Sequence, residues 1–337
     1  MKVLLTGGSG FIATHILREL LVNGHETVAT VRSADKGEFL VNAFQSLGKI
    51  SYTIVANITS DGAFDSAVKS APPFEAVIHT ASPFHSNISD ARRDILDPAI
   101  KGTLGILQAV KDHAPSVKRV VITSSIGAMI NFKNHPAEYN DEAWNPTTIE
   151  EAVSNFSLTY NASKKFAELA AWDFVERERP NFTIATMNPP FVFGPPLHKL
   201  QSLENINTSN KRIVMAIDGS FKEAVPPTGS WMWVDVRDVA LAHVRAIERS
   251  EAGGRRFLLV GSYWTNKDLI DVIRGRFPEL RRKLPEAVES DFPEKIFAFD
   301  NKTSKEILGL QYNSFENCIV DTVRKLIEID PSLESHT

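Results

Sequence analysis

The chain of 337 residues is 43% hydrophobic and 23% charged, proportions typical of a globular protein with one large domain or two closely packed ones. This composition excludes a disordered, collagen-like or coiled-coil chain, and a net charge of -4 provides no positive field to hold nucleic acid or an anionic membrane. The single cysteine, Cys318, cannot form an internal disulfide, which fits a reducing compartment.

The start of the chain predicts no export signal. A signal peptide needs an apolar stretch of about 7–15 residues after its basic start, whereas Gly7 and Gly8 interrupt this one at once. No run approaches the roughly 18–20 apolar residues that cross a bilayer. The final Ser-His-Thr matches no retention or prenylation signal. We therefore expect a soluble cytoplasmic protein.

Short apolar runs alternate with segments of helical periodicity along the first half of the chain. The predicted strands are residues 3–6, 27–31, 52–56, 76–80 and 117–123, and the predicted helices are residues 12–22, 36–46, 63–70 and 94–113. Strands this apolar are buried on both faces, as in a parallel sheet with helices on either side. The pattern predicts an α/β fold with a Rossmann-type doubly wound parallel sheet, whose ligand crevice lies at the carboxyl ends of the strands.

The first strand runs directly into a glycine-rich turn that opens a helix. Glycines at 7 and 10 allow a tight turn and a close approach of the backbone to a pyrophosphate, and Ala13 lets helix and strand pack closely. The helix start supplies free N–H groups and a partial positive charge. The predicted phosphate-binding residues are Gly7, Gly8, Ser9, Gly10, Phe11 and Ile12.

The end of the second strand indicates the nicotinamide cofactor. NAD sites usually place an acidic side chain there, on the ribose 2′-hydroxyl. This chain has Arg32 and Ser33, followed one helical turn later by Lys36. Two cations and a hydroxyl suit a 2′-phosphate, so the predicted cofactor is NADPH/NADP⁺.

Two later strand ends contribute further predicted cofactor contacts. Asn57 and Ile58 follow the third strand, where an amide and an apolar face could hold the adenine ring, although a plain turn role for Asn57 stays open. Thr80 and Ala81 end the fourth strand, and their small side chains would let the dinucleotide pass.

Tyr160 and Lys164 lie four residues apart on one face of a predicted helix, so both can point into a crevice. The nearby ammonium and a positively charged nicotinamide would both favour the tyrosine phenolate. Ser125 closes the fifth strand, where it can donate a hydrogen bond to a substrate carbonyl. Ser125, Tyr160 and Lys164 are therefore the predicted catalytic residues.

After about residue 188 the alternation breaks, and proline pairs such as Pro189-Pro190 and Pro226-Pro227 interrupt the chain. We predict that residues 1–190 form an NADP-binding domain, with returns to it at about 231–260. Residues 191–230 and 261–337 would then form a smaller, interleaved C-terminal substrate-binding lobe.

These motifs resemble the extended short-chain dehydrogenase/reductase superfamily along nearly the whole chain. Further markers are Asn188-Pro189, Gly194-Pro195 and residues 235–240. Residues 31–33, 79–84 and 164–168 narrow the likeness to the dihydroflavonol-reductase-like branch, and within it to fungal NADPH-dependent methylglyoxal and 3-methylbutanal (carbonyl) reductases. The resemblance implies an NADPH-dependent oxidoreductase, and it adds Tyr160, Lys164, Pro189 and Val192 to the cofactor-binding residues.

Three positions depart from the pattern of those relatives. Asn57 stands where many have aspartate, which would alter adenine recognition. Lys101 stands where the superfamily often has an asparagine that helps a proton relay, so the relay would run through Lys164, the ribose hydroxyls and water. Ile130 stands where dihydroflavonol reductases place an asparagine, which disfavours a polyphenolic substrate.

The implied reaction is hydride transfer from NADPH to an aldehyde or ketone. Ser125 would position the carbonyl oxygen, Tyr160 would protonate it, and Lys164 would hold the nicotinamide ribose. An apolar pocket discriminates weakly among carbonyls, so we expect broad acceptance that includes ketones and α-keto esters. The candidate pocket residues are Phe84, Ser125, Ile126, Phe132, Phe191 and Trp231.

Two other functions stay open. A nucleotide-sugar epimerase or dehydratase would need several cationic side chains to bind the diphosphate of its substrate. The Lys and Arg residues of the second lobe that could do so are scattered along the sequence. A non-catalytic NADP(H)-sensing regulator would lose the tyrosine or the lysine, and this chain keeps both. The histidines lack metal-ligand spacing, so no metal is predicted. The expected partner is a small-molecule carbonyl substrate, and the chain would be a monomer or a homodimer.

Overall fold

The computed structural model describes residues 1–82, 89–200 and 202–334. Its strands are β1 (Lys2–Thr6), β2 (Glu26–Val31), β3 (Ile50–Ile54), β4 (Ala76–His79), β5 (Arg119–Thr123), β6 (Glu138–Tyr139), β7 (Thr183–Asn188), β8 (Phe191–Phe193), β9 (Met232–Asp235), β10 (Arg255–Leu258), β11 (Ser262–Tyr263) and β12 (Ala298–Phe299).

The α-helices are α1 (Phe11–Val22), α2 (Ala34–Phe44), α3 (Asp97–His113), α4 (Ile149–Ser154), α5 (Phe156–Glu178), α6 (Thr208–Ile217), α7 (Val236–Glu248), α8 (Asn266–Arg276), α9 (Lys302–Leu308) and α10 (Phe315–Ile329). A π-helical turn, Arg92–Leu96, leads into α3. Short 3₁₀ turns occur at Ile126–Ala128, Leu203–Asn205, Ser250–Ala252, Pro278–Lys283 and Pro331–Leu333.

Seven strands form one parallel sheet in the order β10-β7-β5-β4-β1-β2-β3. β1 lies between β2 and β4, and the strand order proceeds in opposite directions on its two sides. Rossmann folds bind their ligands at this kind of reversal, which is called the topological switch point. The strands are apolar because helices cover both faces of a parallel sheet, and β4 is buried along its whole length. The predicted Rossmann-type fold is confirmed.

One predicted helix is absent from the sheet region. Residues 63–70 lie mostly in turns, although Phe64 and Val68 are buried in the core beside β1 and β4. Gly62 has a φ of 65°, and Pro72 and Pro73 follow closely. The segment between them is too short to stabilise a helix on its own, so its apolar side chains reach the core from successive turns.

The chain divides into two compact units. The first comprises Met1–Asn188, Ala240–Leu259 and Phe297–Leu310 and contains the seven-stranded sheet. The second comprises Pro189–Val239, Val260–Ile296 and Gln311–Thr337. There β8 pairs with β9 and β9 with β11, beside an aromatic core of Phe193, Trp233 and Trp264.

Two segments fall on the other side of the sequence-based boundaries. Residues 231–239 belong to the second unit, because β9 pairs with β8 and β11 rather than with the seven-stranded sheet. Residues 297–310 belong to the first unit, because β12 pairs with β6 and α9 contacts β10. The functions of the two units stay predictions.

Candidate active site

The turn between β1 and α1 has the backbone geometry of a phosphate cradle. Gly7 has a φ of 69°, and a Cβ on it would lie 2.9 Å from the Cα of Ala81. The N–H groups of Gly7 and Gly8 are held by Thr30, at 3.1 Å and 2.9 Å. Gly10, which precedes α1, is exposed. The first N–H groups of a helix have no acceptor within the helix, so they can bind a ligand at this end. This arrangement fits a dinucleotide pyrophosphate.

Arg32 and Lys36 are exposed at the carboxyl end of β2 and the start of α2, where the sequence placed them. Ser33 between them is the N-cap residue of α2. Both cations can therefore reach a ligand at this edge of the sheet. Their assignment to a 2′-phosphate stays a prediction.

The adenine contacts predicted after β3 have local roles in the structure. The side-chain oxygen of Asn57 accepts hydrogen bonds from the N–H and hydroxyl of Thr59, at 3.0 and 2.8 Å, which is a turn arrangement. Ile58 packs against Gly102 of α3 and the adjoining core. A role in holding adenine stays a prediction for both residues.

Thr6 joins the ends of β1 and β4. Its backbone carbonyl accepts a hydrogen bond from the Thr80 hydroxyl at 2.6 Å, and its hydroxyl accepts one from the N–H of Ala81 at 3.3 Å. These bonds bring Ala81 against Gly7, at the switch point of the sheet. The predicted path for a dinucleotide past Thr80 and Ala81 is consistent with this placement.

Tyr160 and Lys164 lie on the first half of α5, one helical turn apart. The Lys164 ammonium lies 5.9 Å from the centroid of the Tyr160 ring and donates a hydrogen bond to the Ser82 hydroxyl at 3.2 Å. The Tyr160 side chain is half exposed, so its hydroxyl is accessible to a substrate. Asn155 begins this helix by accepting a hydrogen bond from the N–H of Ser157.

Ser125 follows β5 and begins the 3₁₀ turn Ile126–Ala128. Its hydroxyl accepts a hydrogen bond from the N–H of Gly127 at 3.0 Å and retains its own proton for another acceptor. This turn packs closely on α5, since a Cβ on Gly127 would lie 2.6 Å from the side-chain oxygen of Asn161. The close packing places Ser125 beside the helix that carries Tyr160 and Lys164.

A buried carboxylate supports this arrangement, and the sequence reasoning missed it. Glu168 accepts hydrogen bonds from Ser124, Thr186 and Asn188, and it forms an ion pair with Arg256 at 2.6 Å. The Arg256 guanidinium also stacks on Trp144 and donates to the backbone of residues 141 and 143. The sequence did contain a signal for Glu168, because it follows Lys164 by four residues and so lies on the same face of α5.

The predicted substrate-pocket residues come from both compact units. Phe84 lies outside the described residues. Ile126 is buried in the turn after Ser125, while Phe132 is 45% exposed and contacts the ring of His135. Phe191 and Trp231 belong to the second unit, where Phe191 packs on Phe193 and Trp264. Their role as pocket walls stays a prediction.

Two of the cofactor residues added by the family resemblance also lie in the second unit. Pro189 and Val192 are buried, and the N–H of Val192 donates to the Ser209 hydroxyl at 3.2 Å. Nothing in these contacts assigns them to the cofactor, so that role stays a prediction.

The residues at the other two departures from the family pattern lie at the surface and in the core. Lys101 is exposed and pairs with Asp61 at 2.8 Å, so it contributes nothing to a relay at Lys164. Ile130 is buried, 1% exposed, which makes it a core residue of the first unit.

Neither a metal-binding cluster nor a membrane-spanning helix occurs in the part of the chain that the structure describes. Among residues 1–82, 89–200 and 202–334, no group of His, Cys, Asp and Glu side chains is arranged to hold a metal ion. Within the same ranges, no helix combines the length and apolarity needed to cross a membrane.

The fold and the site define a class of nucleotide-dependent enzymes, and comparison with known proteins agrees. Residues 3–261 match the NAD dependent epimerase/dehydratase family, and the chain belongs to this family. The sequence resemblance to extended short-chain dehydrogenases/reductases is thereby confirmed.

Individual relatives cover almost the whole chain. A ketoreductase from Aspergillus niger is 45% identical over 331 residues, which are 97% of this chain and 98% of that protein. An NADPH-dependent methylglyoxal reductase from Saccharomyces cerevisiae is 34% identical over 98% of this chain and 99% of its own. The crystal structure of the Candida albicans protein Gre2 with NADPH superposes with a TM-score of 0.91 at 34% identity, covering 98% and 99% of the two chains.

Proposed function

We propose that this chain is a carbonyl reductase that reduces aldehydes and ketones to alcohols with NADPH. The observation that carries the proposal is the placement of Ser125, Tyr160 and Lys164. The serine ends β5, and the turn that follows it packs on the helix that bears the other two. The names of the relatives, a ketoreductase and methylglyoxal reductases, support the same chemistry.

The cofactor is NADPH, which supplies the hydride when bound. The turn at Gly7 and the start of α1 would hold its pyrophosphate. Arg32 and Lys36 would hold its 2′-phosphate, since both are exposed cations at the end of β2. A planar guanidinium can bind phosphate through two hydrogen bonds at once.

Each of the three catalytic residues has a separate task. Ser125 donates its hydroxyl proton in a hydrogen bond to the substrate carbonyl oxygen, which orients the carbonyl and stabilises negative charge on that oxygen. Tyr160 gives its proton to the same oxygen as general acid. Lys164 places a positive charge beside the tyrosine ring, which stabilises the phenolate left after proton transfer.

The proposed substrates are small carbonyl compounds, with ketones and α-keto esters among them. Ile126, which follows Ser125 in the same turn, would provide shape without charge. A pocket of this kind separates similar carbonyls by small factors only.

The test is to follow NADPH consumption with a panel of aldehydes, ketones and α-keto esters, with NADH measured in parallel. Turnover of several carbonyls that depends on NADPH supports the proposal. Tight NADPH binding without turnover of any carbonyl would indicate a sensor instead. Conversion of an added nucleotide sugar, in the absence of carbonyl reduction, would indicate an epimerase or dehydratase.

A further inference from the structure

A small polar cavity lies beside Lys164 in the first unit. It is lined by residues of β4, α3, β5 and α5, and the space open to the centre of a water molecule is about 20 Å³. A single buried water needs about 10–15 Å³ measured in this way. The polar groups that line it are those of His79, Ser82, Thr103, Thr123, Ser124, Lys164 and Glu168.

His79 presents an unpaired nitrogen in this region. The residue is 2% exposed, and its Nδ1 lies 2.8 Å from the Thr6 hydroxyl. Its Nε2 is buried and has no hydrogen-bond partner among the residues that the structure describes. Burial, together with the charge of Lys164, lowers the pKa of His79 to about 3, so the ring is neutral near pH 7. A buried, unpaired polar nitrogen is unfavourable unless a partner is supplied.

Hydrogen-bond counting assigns the proton of this neutral ring. The Thr6 hydroxyl accepts a bond from the N–H of Ala81, and its single proton has no acceptor other than Nδ1 of His79 among the residues that the structure describes. If the Thr6 proton goes to Nδ1 of His79, then Nδ1 is an acceptor and the ring hydrogen is on Nε2. His79, which lines the same cavity as Lys164, then carries a buried N–H donor that has no acceptor in the described part of the chain.

The other groups around the cavity fit a water molecule between these donors. Lys164 uses one of its three N–H groups on Ser82. The hydroxyls of Thr103 and Ser124 donate to Ala99 and Glu168, which leaves their oxygens able to accept. A water oxygen can accept from both His79 and Lys164, while its two hydrogens go to such hydroxyls. The N–H groups of His79 and Lys164 are both donors and cannot hydrogen-bond to each other. A water molecule between them would supply the acceptor that each one needs.

We propose that His79 is a positioning residue, whose Nε2–H holds a buried water molecule against the ammonium of Lys164. This inference rests on the proposed carbonyl-reductase function. The water would solvate the ammonium and hold the lysine side chain in place while the tyrosine gives up and regains its proton. Lys101 is paired with Asp61 at the surface and does not line this cavity.

Two isosteric variants separate the two nitrogens of His79. His79→Gln can place its amide N–H near the position of Nε2, and His79→Asn can keep an amide near Nδ1 and Thr6 but lacks a donor at the cavity. We expect His79→Asn to lower kcat by about tenfold, the rate equivalent of one hydrogen bond. The kcat of this variant should also begin its decline at high pH at a lower pH than the wild-type kcat does, because the ammonium has lost a solvating partner. His79→Gln should retain most of kcat and the wild-type pH profile.

The control is His25→Gln, which removes a buried histidine that bonds Glu248 elsewhere in the first unit. Thermal unfolding and NADPH affinity are measured for all three variants. If His79→Asn keeps the wild-type kcat and pH profile while His79→Gln loses activity, then His79 serves only to tie β4 to Thr6, and the proposal is wrong.

A second measurement does not depend on activity. In a high-resolution crystal structure we expect a water within hydrogen-bond distance of both His79 Nε2 and Lys164 Nζ. Nitrogen-15 spectra of the histidine rings should show a neutral Nε2–H tautomer whose signal disappears in His79→Gln. An Nδ1–H tautomer, or a cavity without this water, overturns the proposal even if carbonyl reduction is established. If wild-type protein reduces no carbonyl, the proposed function fails while the water site can still be observed.

Discussion

The side chain of Asn188 donates a hydrogen bond to the backbone carbonyl of Ser125 at 3.2 Å, and the same amide nitrogen donates to Glu168 at 2.7 Å. The end of β7 is thereby joined to the residue that follows β5. Because Glu168 also accepts from Ser124 and pairs with Arg256, one carboxylate on α5 orients two neighbouring strand ends. Ser125 is thereby held in place by a buried network of hydrogen bonds.

We predict that Glu168→Gln destabilises the protein by about 3–5 kcal/mol, because it leaves the Arg256 guanidinium buried without its counter-charge. The kcat should fall as well, since Ser125 loses part of its support. Denaturant unfolding measures the first effect. The control is Glu178→Gln on the same helix, where the carboxylate pairs with Lys111 at the surface and its loss should change stability little. Equal losses in the two variants would contradict the role of the buried pair.

Tyr160→Phe removes the proposed general acid while preserving the ring. The kcat should fall by about 10²–10⁴, the usual contribution of one acid–base group. NADPH affinity, measured by fluorescence titration, should change little. Tyr52→Phe, which removes a hydroxyl from β3, serves as control. Near-normal turnover of the Tyr160 variant with NADPH bound would remove this residue from the mechanism.

Arg32→Glu reverses the charge at the proposed 2′-phosphate site. We expect kcat/KM with NADPH to fall roughly 10- to 100-fold, as for loss of a charge-assisted hydrogen bond, while NADH is affected far less. The same charge reversal at Arg18, an exposed residue of α1, should leave the ratio of kcat/KM with NADPH to kcat/KM with NADH unchanged. Equal effects on both cofactors would place Arg32 outside the phosphate site.

Gly7→Ala tests the close approach of the turn to β4. Gly7 and Gly24 both have positive φ values, 69° and 77°, so alanine at either costs about 1–2 kcal/mol in backbone strain. At Gly24 the new methyl meets nothing within 4 Å, whereas at Gly7 it lies 2.9 Å from the Ala81 Cα. Gly7→Ala should therefore lose more stability and also bind NADPH more weakly. Similar unfolding midpoints and NADPH affinities for the two variants would contradict this.

Asp238 of the second unit gives a pH dependence of stability. Burial, and secondarily Asp235, raises the pKa of its carboxyl to about 7, against the donors of Asn313 and the charge of Arg237. The folded state therefore keeps a proton that the unfolded state has already lost. As pH rises from about 4 to about 7, this group should lower the free energy of unfolding, by at most about 1.4 kcal/mol per pH unit.

The measurement for Asp238 is the free energy of unfolding at several pH values in wild type and Asp238→Asn. The difference between them should change across that window and level off outside it. Asp173→Asn, at an exposed position of α5, provides the comparison. A constant difference from pH 4 to pH 7 would show that Asp238 titrates normally in the folded protein.

The sequence by itself determined the Rossmann-type sheet and the position of the glycine turn. Apolar runs that alternate with helical periods leave few other arrangements, because a strand buried on both faces needs helices on either side. It also pointed to Ser125, Tyr160 and Lys164, because strand ends and helical spacing are local properties. The exception was residues 63–70, where apolar periodicity indicated a helix and the nearby Gly62 and prolines produce turns instead.

Only the tertiary structure decided which distant residues meet. Glu168 and Arg256 are 88 positions apart, and His79 of β4 lines the cavity beside Lys164 of α5, so no local pattern connects them. It also decided that β9 belongs to the second unit and residues 297–310 to the first, since strand pairing across long stretches of chain governs both. Such contacts depend on which surfaces are left to be buried once the local elements have formed, and composition and spacing do not contain that information.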